Sequence, residues 1–204
     1  MKRPLIGIIL LLLIPCIYAQ SFITDSDRTN EPGEIESPKE IRFEKPHKWA
    51  LETSLTFPFG AKIYMLKGSY RISPKSELGF GPAFQNWENT DKTPRGQANA
   101  YTLLLSYRYY FYRNFNVEIE LWPAYNFFDS YVDGRTYKGL ELWAEHKIGY
   151  RVDLTPNIYL NVQPGIGHGI WMEHKWPGWD DYSSWELIGR SMVFVPQIIV
   201  GWNF

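Results

Sequence analysis

Residue types that could hold a metal ion gather in one polar stretch near the C-terminal end of the chain. The stretch contains His168, Glu173, His174, Asp180 and Asp181, whose side chains offer nitrogen and oxygen ligands. Their spacing matches none of the usual zinc or calcium patterns. We therefore interpret the stretch as a solvated loop and expect neither a metal nor a cofactor.

The same stretch is rich in tryptophan, with Trp171, Trp176, Trp179 and Trp185. Indole rings next to carboxylates can stack on sugars or dock a partner, and they also form the aromatic rims of membrane proteins. We favour the interpretation that these tryptophans belong to an aromatic rim at the membrane surface. The residues that would serve a surface contact are Trp176, Trp179, Asp180 and Asp181.

Charged residues of both signs occupy alternate positions from Trp49 onward. Side chains alternate between the two faces of a strand, so this pattern predicts strands with one charged and one apolar face. The charged face carries Glu52, Lys67, Arg71, Glu77, Arg108, Glu118, Glu120, Glu141, Glu145, Lys147 and Arg151. If this face lines the interior of a narrow barrel, the opposite charges can pair there.

The alternation predicts eight strands separated by turn residues. Their apolar faces run through Trp49–Phe59, Ile63–Ile72, Glu77–Asn86, Tyr101–Phe111, Val117–Phe127, Leu140–Val152, Ile158–Ile166 and Met192–Phe204. His146 interrupts the apolar face of the sixth strand. The links after strands two, four and six are short and those after three, five and seven are longer, which is the asymmetry of an outer-membrane barrel. The link near Gly60, after the first strand, is also short and does not fit this alternation of short and longer links.

Prolines recur on the apolar faces at equal intervals, at Pro82, Pro123 and Pro164, and Pro196 lies in the last strand. One hairpin per interval is typical of an up-and-down barrel. Proline donates no ladder hydrogen bond, so we expect a bulge or bend at each and an interruption near Pro196.

The first residues are typical of a cleavable secretory signal. Lys2 and Arg3 precede an apolar run that is about ten residues long, about half the length of a spanning helix. We expect residues 1–19 to be the signal peptide, 20–48 a flexible periplasmic segment and 49–204 the barrel domain. A lipidated Cys16 is the alternative, although Pro15 before it fits that poorly.

Composition narrows the class further. Aromatic residues make up 17% of the chain, yet the mean hydropathy is −0.32 and the net charge is −1. A polar average is compatible with a membrane barrel, because outward and inward residues cancel. The charge gives no indication of nucleic-acid binding. Cys16 is the only cysteine, so the expected mature chain has no disulfide.

The last strand resembles the C-terminal strand signal of outer-membrane proteins, with Val200, Trp202 and Phe204 on one face. The plan from Trp49 to Phe204 is similar to the small eight-stranded barrels of the OmpA-like, OmpX-like and OmpW-like group. The resemblance implies an all-β, antiparallel, up-and-down transmembrane barrel in a Gram-negative outer membrane. It also implies contact with outer-membrane lipid and lipopolysaccharide, and with the barrel-assembly machinery during insertion.

Three functions stay open within this class, beside a soluble periplasmic barrel as the structural alternative. We favour a non-enzymatic structural or surface-interaction role with an unidentified partner. The first alternative is a porin-like path for small solutes, although large inward residues such as Arg108, Tyr110, Trp122, Trp143 and Arg151 would fill so narrow a barrel. The second is a lipid A-modifying enzyme, for which the His-x-Ser pair is absent after His168.

Overall fold

The structure, a computed structural model, describes residues 47–90, 95–173 and 183–204, where it contains nine strands and two helices. In chain order they are β1 (Trp49–Ser54), α1 (Phe57–Gly60), β2 (Ile63–Met65), β3 (Lys67–Ser73), β4 (Ser76–Asn89), β5 (Gly96–Tyr112), β6 (Phe115–Ser130), β7 (Thr136–Asp153), β8 (Ile158–Met172), α2 (Ser184–Ser191) and β9 (Val193–Asn203). Neither helix of this described part has the length and apolar character needed to cross a membrane. The predicted signal peptide lies outside the described residues, as does the predicted flexible segment except its last two positions.

The strands form one antiparallel sheet that closes on itself. Around the ring the order is β4, β5, β6, β7, β8, β9, β1 and β3, and β3 pairs with β4 again. β2 and β3 pair with the same edge of β4 and together count as one strand of the barrel. The ring therefore has eight strands. The predicted all-β, antiparallel, up-and-down barrel of about eight strands is confirmed.

A proline explains why β2 and β3 are separate strands. The register against β4 is the same on both sides of the gap between them. Leu66 occupies the gap, and its N–H donates to the Pro82 carbonyl oxygen over 3.1 Å. Proline has no N–H to return that bond, so the ladder loses a rung without a shift in register.

The other prolines act in the same way. Pairing between β5 and β6 pauses beside Pro123 and resumes in the same register, and pairing between β7 and β8 does so beside Pro164. Pro196 faces Pro164 in the β8–β9 ladder, which runs through both, whereas the β1–β9 ladder ends before Pro196. The expected bulges do not occur at these prolines, because a missing donor affects one neighbouring strand and leaves the register intact. The expected interruption near Pro196 is present on the β1 side only. The register shifts that occur lie between Arg71 and Ser73, between Tyr110 and Tyr112, and between Leu142 and Trp143.

The first predicted strand is too long. β1 ends at Ser54, whose hydroxyl accepts a hydrogen bond from the Phe57 N–H over 3.2 Å, and α1 follows. Pro58 lies in the first turn of α1, where its missing donor does no harm. Phe57 therefore points inward and is 4% exposed, while Phe59 is 90% exposed. The prediction that both rings lie on the outer face of a strand is wrong.

The earlier end of β1 also explains the link near Gly60, which did not fit the predicted pattern of short and longer links. The link between β1 and β2 spans residues 55–62 and contains α1, so it joins the longer links β4–β5, β6–β7 and β8–β9 at one end of the ring. We call this end the loop end and the opposite one the turn end. The wall is uneven, because β4 to β8 have 14 to 18 residues, whereas β9 has 11 and β1 has 6.

Candidate functional site

Charged side chains from opposite sides of the ring meet inside it. Lys67 on β3 lies 3.0 Å from Glu52 on β1, and 2.6 and 3.0 Å from Glu118 and Glu120 on β6. β3 and β6 are not neighbours in the sheet, so these contacts cross the interior and establish which face points inward. Lys67 is fully buried among three carboxylates, which need further positive charge nearby.

Arg108 on β5 supplies part of that charge. Its guanidinium nitrogens lie 2.6 Å from Glu52, 2.7 Å from Glu118 and 3.1 Å from Glu77 on β4. The planar guanidinium presents five donors in a fixed geometry, so one side chain can satisfy several carboxylates. Tyr159 on β8 donates a further hydrogen bond to Glu52.

Lys147 on β7 supplies further positive charge on the other side. It pairs with Glu120 and, over 2.7 Å, with Glu145, and it donates to the Gln197 side-chain oxygen over 2.6 Å. The group is continuous, because Glu120 contacts both lysines. We call it the ionic network, and its members are Glu52, Lys67, Glu77, Arg108, Glu118, Glu120, Glu145 and Lys147.

Arg151 lies nearer the turn end. Its side chain lies 2.9 Å from Asp153 and 3.7 Å from Glu77, and its guanidinium carbon stands 3.4 Å from the centre of the Tyr159 ring. Its terminal nitrogen also donates to Asn203 over 3.2 Å. These contacts connect β7, β4, β8 and β9 across the turn end of the interior.

The structure places the residues of the predicted charged face as follows. Buried are Glu52, Lys67, Glu77, Arg108, Glu118, Glu120, Glu141, Lys147 and Arg151. Arg71 and Glu145 are partly covered, and Arg71 pairs with Glu77 over 2.7 Å. Glu141 lies apart from the ionic network and accepts a hydrogen bond from Asn126 over 3.3 Å.

Sequence reasoning assigned no role to the neutral partners of these charges. Gln163 donates to Glu118 over 2.7 Å, and Asn116 contacts Asn161 over 3.1 Å. These residues are buried and share the inward parity of the charged ones. The alternation of side chains along each strand could have identified these residues as inward-facing. Only the register between strands shows which charge each one contacts.

An apolar cluster fills the interior on the loop side of the ionic network. Its members are Phe57, Met65, Ala83, Leu104, Trp122 and Val195, with Ile63 and Trp143 packed against it. The Phe57 and Trp122 rings lie 6.2 Å apart at 52°. Trp122 is 2% exposed, and its indole N–H donates to Glu120 over 3.2 Å. The apolar cluster and the ionic network are therefore in direct contact.

The outer face is apolar in its middle zone. Exposed aliphatic and aromatic side chains there include Leu51, Leu66, Phe80, Leu103, Leu105, Ile148, Val162 and Ile166, each at least 38% exposed. Among the described strands of this zone, His146 and His168 are the only Asp, Glu, Lys, Arg or His side chains that face outward. Charge lies inside the ring and apolar surface outside it.

Aromatic bands border the middle zone on both sides. Near the turn end the ring pairs are Trp49–Tyr70, Phe111–Phe115, Phe115–Tyr150 and Trp202–Phe204, with centres 4.6 to 6.2 Å apart. Near the loop end they are Phe84–Tyr101, Tyr101–Phe127 and Tyr125–Phe127, 5.0 to 6.1 Å apart. The predicted terminal motif of Val200, Trp202 and Phe204 lies on the outer face at the turn end, and the Phe204 N–H donates to the Trp49 carbonyl over 3.0 Å.

The two outward histidines contact each other. His146 on β7 and His168 on β8 have Nε2 atoms 3.2 Å apart and nearly parallel rings, with centres separated by 5.3 Å. Both are partly exposed. Sequence reasoning noted His146 on an apolar face but did not pair it with His168, because that requires the β7–β8 register.

The loop end carries further polar contacts. A capping box between Ser183 and Glu186 begins α2, and Leu187 of α2 is buried while Trp185 is 83% exposed. Hydrogen bonds from Ser183 lower the pKa of Glu186, and one from Tyr137 lowers the pKa of Asp133. The predicted surface contacts Trp176, Trp179, Asp180 and Asp181 lie outside the described residues.

Among the described residues, no group of three or more His, Cys, Asp or Glu side chains is arranged to hold a metal ion. The fold and interior together define an eight-stranded antiparallel β-barrel with a filled lumen. No protein-family model matches the chain, and no curated protein matches it. Among solved structures, the chain is similar to Neisserial surface protein A, at 14% identity and a TM-score of 0.43, over 76% of this chain and 93% of that one.

Proposed function

We propose that this protein is a bacterial outer-membrane β-barrel with a non-enzymatic structural or surface-interaction role. The observation that carries the proposal is the distribution of side chains across the wall. An exposed apolar zone between two aromatic bands surrounds an interior that holds the charged residues. This is the arrangement that a lipid environment favours, because aromatic rings settle at both membrane interfaces and a closed ring has no unpaired edge strand.

A soluble barrel would place the same faces the other way round, with apolar side chains inside and charged ones in water. Here Lys67, Arg108 and Glu118 are buried, whereas Leu66 and Phe80 are about half exposed. So large an exposed apolar surface would drive aggregation in water. The histidine pair and Thr53 are the polar exceptions to the apolar character of the middle zone.

The filled interior supports a surface role over a pore. The ionic network and the apolar cluster lie one above the other, and each connects opposite walls through side chains. A solute would have to displace both. The four links at the loop end are then the surface available to lipopolysaccharide or to a partner, and exposed Phe59 and Trp185 lie in two of them.

The motif at the end of β9 would serve assembly. Val200, Trp202 and Phe204 project outward from the strand that closes the ring against β1. An exposed row of this kind is available to the barrel-assembly machinery before closure. The basic and apolar start of the chain would direct export.

Membrane fractionation followed by gel electrophoresis with and without boiling tests the proposal. We expect the protein in the outer-membrane fraction and a faster-migrating folded band that disappears on boiling. Recovery in the soluble fraction without detergent would contradict it. Planar-bilayer recordings address the pore alternative, and steady conductance by the intact protein would favour that function.

A comparison of lipid A from cells with and without the gene addresses the enzymatic alternative. Mass spectrometry should give the same lipid A species in both. A mass difference that matches an added or removed acyl chain would replace the surface role with an enzymatic one.

A further inference from the structure

We propose that His146 and His168 form a two-imidazole site for a divalent transition metal ion, such as Zn²⁺ or Cu²⁺, on the outer wall of the barrel. The inference depends on the fold and on the geometry of the pair, and it goes beyond the proposed surface role. Neutral imidazole is the commonest protein ligand for these ions. Within the described strands, the pair also holds the only ionisable side chains of an otherwise largely apolar zone.

The separation of the two ring nitrogens suits a shared metal. A metal about 2.0–2.1 Å from each nitrogen, at a tetrahedral angle, holds the nitrogens about 3.3 Å apart. The observed distance between the His146 and His168 Nε2 atoms is 3.2 Å. A metal between them therefore requires rotation of the rings more than movement of the strands.

One ring nitrogen of His168 already contacts a backbone carbonyl. Its Nδ1 lies 3.3 Å from the Gly169 carbonyl oxygen, which can only accept, so Nδ1 carries the hydrogen. In the neutral tautomer that makes this contact, Nε2 carries no hydrogen and is available to a metal. Metal-bound histidines usually donate their second N–H to such a carbonyl or carboxylate, which fixes the tautomer and the ring orientation.

In that tautomer and in the absence of metal, the hydrogen bond of the pair has one possible direction. His146 donates from Nε2 to the bare Nε2 of His168. When a metal binds, His146 transfers its hydrogen to Nδ1 through solvent and becomes the second neutral ligand. The exchange leaves the charge of the protein unchanged.

The position of the pair gives it access to water-borne ions. His168 lies beside Gly167, which pairs with Val193, the first residue of β9. The wall formed by β9 thus ends next to the pair on the loop side. Two protein ligands leave coordination positions open toward this end of β9, where water from the loop side can reach them.

The test uses the full chain in detergent micelles without chelating buffer. Equilibrium dialysis against Zn²⁺ followed by elemental analysis gives stoichiometry and affinity, and electron paramagnetic resonance with Cu²⁺ reports the number of bound nitrogens. We expect one ion per chain and two coordinating nitrogens in the wild type. His47→Ala, which removes a histidine before β1, should bind in the same way.

Four variants distinguish a metal site from a simple hydrogen-bonded pair. His146→Ala and His168→Ala should weaken binding at least tenfold, because each leaves a single imidazole. His146→Gln keeps a donor toward His168 but lacks the imidazole, and it should lose metal binding equally. His174→Ala, outside the described residues, should bind like the wild type. Heat-modifiable migration checks that every variant is folded.

Either of two results would overturn the proposal. The first is a wild type that binds no ion under these conditions. The second is metal binding that survives in His146→Ala and His168→Ala but is lost in His174→Ala or His47→Ala.

Discussion

The ionic network and the apolar cluster fill the same lumen by different physical means. In the ionic network each charge depends on several partners, as Lys67 does on Glu52, Glu118 and Glu120. In the apolar cluster the contacts are non-directional, and neighbouring side chains can adjust to a change. Removing one member should therefore be more damaging in the ionic network, even though charged groups are the more expensive to bury.

Arg108→Met should produce the largest loss of stability. It leaves the buried carboxylates of Glu52 and Glu118 without a guanidinium partner, and it removes one of the cations around Glu77. Breaking a buried pair in this way typically costs about 3–5 kcal/mol. We expect the unfolding midpoint in urea, followed by the heat-modifiable band in one detergent, to fall accordingly.

Arg135→Met is the matched control, because Arg135 is exposed in the link between β6 and β7. Its unfolding midpoint should stay near that of the wild type. Equal midpoints for Arg108→Met and Arg135→Met would mean that the buried charges do not depend on one another.

Trp122→Ala should be the most damaging change in the apolar cluster. Truncation of a buried aromatic side chain costs about 3–5 kcal/mol when the site cannot collapse. Because Phe57 and Met65 can shift toward the cavity, we expect the lower end of that range and a smaller loss than for Arg108→Met. The same urea titration gives the comparison.

Trp122→Phe is the informative control for this position. It keeps the apolar packing and removes the N–H that reaches Glu120 over 3.2 Å. A loss as large as that of Trp122→Ala would mean that the hydrogen bond to the ionic network, and not the ring, stabilises this region.

The contrast between the two regions was only partly accessible from the sequence. Alternation predicted which residues face inward, because a strand allows two orientations only. It could not predict that Phe57 turns inward, since this depends on β1 ending at Ser54 and on Pro58 fitting the first turn of α1. Parity also could not connect Lys67 to Glu118, because two strands, β4 and β5, lie between those partners around the ring.

The prolines show a second limit. Proline chemistry correctly indicates a lost hydrogen bond, but not which neighbouring strand loses it. That depends on which of the two adjacent strands the backbone N–H at that position would face, and a single sequence does not contain this information. The pairing of His146 with His168 was hidden for the same reason, because it follows from register between strands.

A double-mutant cycle between Phe57 and Trp122 should give a moderate coupling. The rings lie 6.2 Å apart, and aromatic pairs contribute about 0.5–1.5 kcal/mol beyond their buried area. Phe57→Ala, Trp122→Ala and the double variant, unfolded in the same detergent, provide the value. Coupling near zero would indicate that α1 only covers the lumen without packing into it.

Glu145→Gln should have the smallest effect, because Glu145 lies at the margin of the ionic network. Its cation contact is with Lys147 at 2.7 Å, and Lys147 keeps Glu120 and Gln197 when Glu145 is neutral. We expect a loss below about 1 kcal/mol, the scale of a single hydrogen bond. Glu118→Gln makes the same chemical change at a carboxylate that contacts Lys67, Arg108 and Gln163, so its loss should be clearly larger. If the two substitutions lowered the unfolding midpoint equally, the number of partners would not determine the contribution of a buried charge, and the distinction between the two halves of the lumen would fail.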